Sequence, residues 1–189
     1  AITNAMDNYQ VNNYVANLTS LIDGLTNWYI RRSRRRFWEV GVSEDKRNAY
    51  QTLYYVLVTT AKLLAPVAPI MAEKVYKTLT DGKSVHLENW PVIPAEYKND
   101  DLLEKIDTVQ SVISLARSIR AKNKVKNRQP LATLNVAFPD ASKNEIVKEF
   151  MDTIAEELNV KEVEYTNDLE KFVSHNIKLN FKVCGPKLS

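Results

Sequence analysis

The chain has 189 residues with 44% hydrophobic content, enough for a real core in one domain or in a domain with a smaller appendage. Four glycines and seven prolines argue against an all-β chain full of tight turns, and neither G-x-G-x-x-G nor G-x-x-x-x-G-K-S/T is present to cradle phosphates. The single cysteine, Cys184, excludes an internal disulfide and fits a reducing cytosol, while a net charge of +3 and a pI near 8.8 are only mildly basic.

In chain order, Leu18, Leu21, Ile22, Leu25, Trp28 and Tyr29 follow the i, i+3, i+4, i+7 spacing of one helical face. That pattern runs into a block of five arginines set among Trp28, Tyr29, Phe37 and Trp38. Five guanidiniums within six residues repel one another, so a fold tolerates them only beside carboxylates, carbonyls or phosphates. With Leu25 as zero, about 100° per residue returns Arg32 and Arg36 to the apolar stripe and sends Arg31 and Arg34 to the other side. Arg32 and Arg36 are therefore expected to be structural and paired, and Arg31 and Arg34 to meet a ligand. The aromatics Trp28, Tyr29, Phe37 and Trp38 are read as core anchors in preference to stacking platforms.

Gly41 to Asp45 reads as a turn with Ser43 as the N-cap of a second helix through Tyr50, Leu53, Tyr54, Leu57, Ala61 and Leu64. Ala65-Pro66-Val67-Ala68-Pro69 breaks it, and a third helix is expected from Pro69 to Leu79, closed by Asp81-Gly82. Residues 83–97, with Trp90, Pro91 and Pro94, read as an ordered crossing loop in which Trp90 is structural. The fourth helix is expected over 99–125, through Leu102, Ile106, Val109, Val112, Ile113, Ala116 and Ile119.

After Gln129-Pro130 the texture changes. Leu131 to Phe138 alternates like a strand, 142–158 reads as one amphipathic helix, and Val160–Tyr165 and Ile177–Val183 read as further strands. The expected organisation is mainly α: a helical bundle over 1–129, then a small α+β unit over 130–189. No apolar run approaches the length of a membrane span and no signal peptide is visible, so a cytoplasmic protein is expected. The chain begins with Ala1 inside an apparent helix, as an excised domain would.

Catalysis finds little support. His86 and His175 lie far apart with no cysteine or carboxylate at ligand spacing, and Cys184 reads as a buried, inert thiol. Glu156-Glu157 and Asp100-Asp101 read as surface carboxylates. The positive signal is charge distribution: Arg117, Arg120, Lys122, Lys124, Lys126 and Arg128 have no acidic residue among them. On a helical wheel Arg117, Arg120, Lys124 and Arg128 make a stripe about 80° wide if the helix persists, which suits a phosphate backbone. Asn123, Asn127 and Gln129 between them are placed to hydrogen-bond unpaired bases. The competing reading is that basic residues gather at a helix C-terminus for dipole reasons and form a solvated face.

The segment NWYIRRSRRRFW (27–38) closely resembles the anticodon-binding domain of isoleucyl-tRNA synthetases. LLAPVAPIMAEKVY (63–76), SVHLENWP (84–91), ARSIRAKNKVKNRQPL (116–131), LNVKEVEY (158–165) and NFKVCGPKLS (180–189) are similar to later segments of that family, in its order. The arginine-rich block favours isoleucine over the related valine and leucine enzymes. The resemblance implies a module that grips the anticodon stem-loop of isoleucine tRNA for a catalytic domain of the same parent chain. ATP and Mg are implied for that parent, and no cofactor or activity for these residues, which carry neither the His-Ile-Gly-His nor the Lys-Met-Ser-Lys-Ser signature. The alternative is a module that orients neighbouring domains without touching RNA.

Overall fold

In the computed structural model, which describes residues 1–138, 140 and 142–166, eight α-helices and one two-stranded sheet form the regular structure of the described residues. This is the mainly α class expected. The chain divides between Pro94 and Ala95 into two units, upstream of the change of texture near 129.

The first unit contains α1 (Ile2–Asp7), α2 (Val11–Gly24), a π-helical segment (Leu25–Ile30), α3 (Arg34–Trp38), α4 (Glu44–Leu64), α5 (Pro69–Leu79) and a 3-10 turn (Val85–Leu87). Helix α4 starts where Ser43 predicts, with the Ser43 hydroxyl accepting the Lys46 N–H at 3.1 Å and Glu44 and Asp45 at the positive end of the helix dipole. It ends because Pro66 has no N–H to give, and the N–H groups of Val67 and Ala68 both turn to the Leu64 carbonyl. The Leu63 carbonyl is taken instead by the hydroxyl of Tyr14, which reaches across from α2. Tyr14 is wholly buried, and burial pushes its phenol pKa up.

Tyr14, Ala5, Leu18 and Leu63 form one core cluster, with Trp90 packed on its edge and donating from Nε1 to Thr3 Oγ1 at 3.1 Å. Trp90 is half-buried in this setting. Ala61, Ala72, Tyr76 and Val85 form a second cluster, and Leu64 touches both. Gly82 closes α5 for a steric reason: a Cβ there would lie 2.5 Å from the Tyr76 ring.

The second unit contains a 3-10 turn (Ala95–Tyr97), α6 (Asp100–Lys122), β1 (Leu131–Ala137), α7 (Ser142–Glu149), α8 (Met151–Leu158) and β2 (Val160–Thr166). The Asn99 side chain caps α6 by accepting the Leu102 N–H at 3.0 Å. Helix α6 packs Val109, Val112, Ile113 and Ala116, one helical stripe, toward α7 and α8. Strands β1 and β2 pair in parallel, from Leu131 opposite Val160 to Ala137 opposite Thr166, so the chain must cross over between them, and α7 and α8 supply the crossover. The single helix expected over 142–158 is two. Phe150 leaves helical geometry (φ −112, ψ 21), and its N–H is shared between the carbonyls of Ile146 and Val147, which tightens the last turn of α7. The strand expected over 177–183, together with His175 and Cys184, lies outside the described residues. Among the described residues no helix is long and apolar enough to cross a membrane.

Glu73 latches α5 to the turn that follows it. Its carboxylate accepts from Lys77 Nζ at 2.8 Å, the Val85 N–H at 2.9 Å and the Ser84 hydroxyl at 2.9 Å. Those donors, Lys77 foremost, hold its pKa well below the usual carboxylate range, at about 2. A depressed carboxylate contributes stability that is complete above its unfolded pKa and lost as pH falls through the folded one. The melting temperature should therefore fall between about pH 5 and pH 2 more steeply in the native chain than in Glu73→Gln. Parallel curves for the two proteins in thermal melts would show that the latch contributes nothing.

Candidate nucleic-acid interface

In the first unit the arginine-aromatic block spans the π segment, a break at Ser33 and the short helix α3. A π turn winds more widely than 3.6 residues, and Ser33 is non-helical (φ −81, ψ 5) and buried, so phase counted from Leu25 does not carry through to Arg36. What holds the block is aromatic. The Tyr29 hydroxyl donates to the Ala49 carbonyl at 3.1 Å, and Phe37 sits edge-on to both Tyr29 (6.3 Å) and Tyr50 (5.1 Å), pinning α3 to α4.

The arginines then divide. Arg36 makes a two-pronged pair with Asp45, both contacts at 2.7 Å, and this guanidinium holds the Asp45 carboxyl below the usual carboxylate range. Arg36 is thus paired as expected, though its side chain stays 37% exposed. Arg32 is half-buried and lies 5.3 Å from the Trp28 ring. Arg31 is half-buried too, with its Nε on the Asn27 carbonyl at 2.8 Å. Arg34 and Arg35 are exposed, and Arg34 stacks 5.3 Å from the ring of Trp38. Trp38 corrects the reading of a core anchor: it is 75% exposed, because Phe37 fills the position that faces α4.

In the second unit the basic stripe expected on a continuous helix does not form. Helix α6 stops at Lys122, short of the expected 125, in a Schellman cap: the Val125 N–H bonds the Arg120 carbonyl at 2.9 Å and the Lys124 N–H bonds the Ala121 carbonyl at 3.1 Å. The cap puts Lys124 in the left-handed region, φ 57, where glycine is the usual residue. Asn123 turns its amide back to the Ile119 carbonyl at 2.8 Å.

Two residues expected on phosphate are engaged by the protein itself, and one of them is buried. Arg120 is 5% exposed. Its Nη1 donates to the carbonyls of Lys126 (3.0 Å) and Gln129 (2.9 Å), and its Nη2 to those of Leu158 (2.7 Å) and Asn159 (3.5 Å). Arg117 gives its Nη2 to Glu157, at 2.7 Å to the carboxylate and 3.3 Å to the carbonyl. The Glu157 side chain is 5% exposed and needs this cation, since a buried carboxylate without a partner is costly.

Gathering the carbonyls inward turns the loop inside out. Asn159, itself left-handed at the end of α8 (φ 51), takes the Arg128 carbonyl with its side-chain amide at 2.9 Å. With the carbonyls of Lys126, Arg128 and Gln129 so held, the side chains of Lys122, Lys124, Lys126, Asn127, Arg128 and Gln129 all stand exposed. No described acidic side chain makes an ion pair with any of these four cations. Lys122 and Lys126 thereby join the cationic face, which a helical wheel had not assigned to them. Among the described residues no cluster of three His, Cys, Asp or Glu side chains is placed to hold a metal ion.

Basic, exposed loop and helix ends are compatible with a nucleic-acid partner, and comparison with known families gives the class. The chain belongs to the family described as the anticodon-binding domain of tRNA ligase, whose profile matches residues 1–137. Its relatives include isoleucine–tRNA ligase 2 of Bacillus anthracis, 42% identical over 187 residues. The isoleucine–tRNA ligase of Protochlamydia amoebophila is 39% identical over 190 residues. These alignments cover 98% and 99% of the chain but only 18% of either relative's own length.

Arg120→Ala removes the donor for four carbonyls, the Leu158 one buried, and should destabilise the chain by about 2–5 kcal/mol in denaturant unfolding. Arg120→Lys should recover only part of that, because a point charge cannot span carbonyls lying on several sides of a planar fork. An Arg120→Ala midpoint equal to the native one would contradict the role assigned here.

Proposed function

We propose that this chain is the tRNA-gripping module of an isoleucyl-tRNA synthetase. It binds the anticodon arm of isoleucine tRNA, and a catalytic domain of the same parent chain carries out the ATP-dependent aminoacylation. The observation that carries the reading is the loop 122–128: four exposed cations and Asn127 on a backbone whose carbonyls are drawn inward. Lys122, Lys124, Lys126 and Arg128 take phosphates, with counterion release as the driving force, and Asn127 is the candidate reader of an unpaired base. Asn123 spends one amide N–H on its own helix and keeps the other N–H and its carbonyl oxygen for that work. Arg34 is the outward cation of the first unit, and Arg31 is the less accessible partner suggested with it.

Lys124 supplies an argument independent of charge counting. A lysine in a left-handed cap is strained by roughly 1 kcal/mol relative to glycine, and strain of this kind is retained where a side chain is needed. The rival reading, a module that only orients its neighbours, draws on Arg117 and Arg120, whose charges are used internally.

A salt titration of binding to isoleucine tRNA separates the two. Affinity should fall log-linearly with salt, and Lys124→Ala should flatten the slope by about one unit. Lys124→Gly should flatten it equally while raising unfolding stability by roughly 0.5–1 kcal/mol, a division between stability and binding that a purely structural lysine does not give. No detectable binding at low salt would sink the RNA reading for this chain.

A further inference from the structure

The exposed tryptophan of the arginine block contributes little burial to the core. The three tryptophans are Trp28, Trp38 and Trp90. Trp28 is half-buried beside Arg32, and Trp90 is half-buried against the Tyr14 cluster. Trp38 alone of these stands 75% exposed. An indole left in water forgoes a large apolar contribution, and tryptophan in that position is characteristic of contact surfaces.

Its setting is rigid. Arg36, two residues before, is fastened to Asp45; Phe37 is locked between Tyr29 and Tyr50; and the Glu39 carbonyl, just after, accepts Lys46 Nζ at 2.7 Å. Exposed guanidiniums stand beside it. Arg34 lies 5.3 Å from the ring, and Arg34 and Arg35 are both exposed on the same short helix. Of the two acids nearby, Asp45 is paired with Arg36, and Glu39 accepts from the Ser43 hydroxyl. The indole also borders a shallow, open depression with Arg35, Arg36, Glu39 and Asp45.

We propose that Trp38 is a stacking platform for one unpaired base of the bound RNA, with Arg34 backing the indole and supplying charge for the adjoining phosphate. An aromatic face beside guanidiniums suits a nucleotide, which offers a π face and an anion a fixed distance apart. A protein partner would meet the same arginines with acidic side chains and would leave RNA affinity indifferent to the indole. This inference rests on the RNA-binding reading above and names a contact within it.

The test is equilibrium binding of the chain to an isoleucine-tRNA anticodon stem-loop carrying 2-aminopurine in its loop, at one salt concentration and then across a salt series. Trp38→Ala should weaken binding about fivefold to 150-fold, the loss of one stacked base, with the salt slope unchanged and 2-aminopurine less quenched in the complex. Trp38→Phe should keep most of the affinity, and Arg34→Ala should flatten the slope by about one unit. Since Trp38 is exposed, its variants should melt with the native chain, which a thermal scan checks. Trp38→Ala binding as tightly as the native chain, with equal quenching, would overturn the stacking proposal while leaving the cationic loop in place. The same result with Trp38 shielded from acrylamide only in the full-length synthetase would overturn it in favour of a protein neighbour. If the native chain fails to bind the stem-loop at low salt, this proposal falls together with the RNA reading.

Discussion

One buried guanidinium organises the second unit. Arg120 meets four carbonyls and no carboxylate, so its charge is balanced by dipoles, among them the Leu158 carbonyl at the negative end of α8. Two of the carbonyls belong to the loop after α6, one to the last residue of α8 and one to Asn159 before β2. The contact therefore sets the path of the basic loop against the β-α-β unit. Asn159 completes it, accepting the Leu131 N–H on its carbonyl where β1 begins and donating its amide to Arg128. Where the carbonyls point is then where the lysines do not, and the exposed cationic face follows from the buried cation.

The first unit shows a related division of labour by different means. Its arginines repel one another, and the fold answers by dispersing them: one to a carboxylate, one to a backbone carbonyl, two to indoles. Pinning is left to Tyr29, Phe37 and Tyr50, and with Phe37 facing α4 the next residue, Trp38, is carried outward. In both units the arginine most tightly bound to the protein lies close in sequence to side chains that are not.

Much of the helical frame is legible in the sequence because its signals are local. Ser43 with two following acids, the break at Ala65 to Pro69, and Gly82 under Tyr76 each act within a few residues. The site is less legible, for identifiable reasons. The end of α6 is hidden because a lysine occupies the position where glycine would announce a cap. The π segment has no sequence signature, and it upsets any wheel drawn through it. The burial of Arg120 depends on carbonyls 38 and 39 residues away, and backbone acceptors leave no trace in side-chain identity. The arginine block resembles the family, but helical phase does not separate Arg31 from Arg32, both half-buried, and the reading of Trp38 as a core anchor does not come from phase.

The central claim is that the loop held by Arg120 and Asn159 is the surface that meets RNA. A photo-crosslinking map between the chain and isoleucine tRNA, read by mass spectrometry, tests it most directly. Crosslinks from anticodon-arm nucleotides should concentrate in residues 122–128. Crosslinks that skip this loop and fall on the acid-bearing helices α7 and α8 would contradict the account.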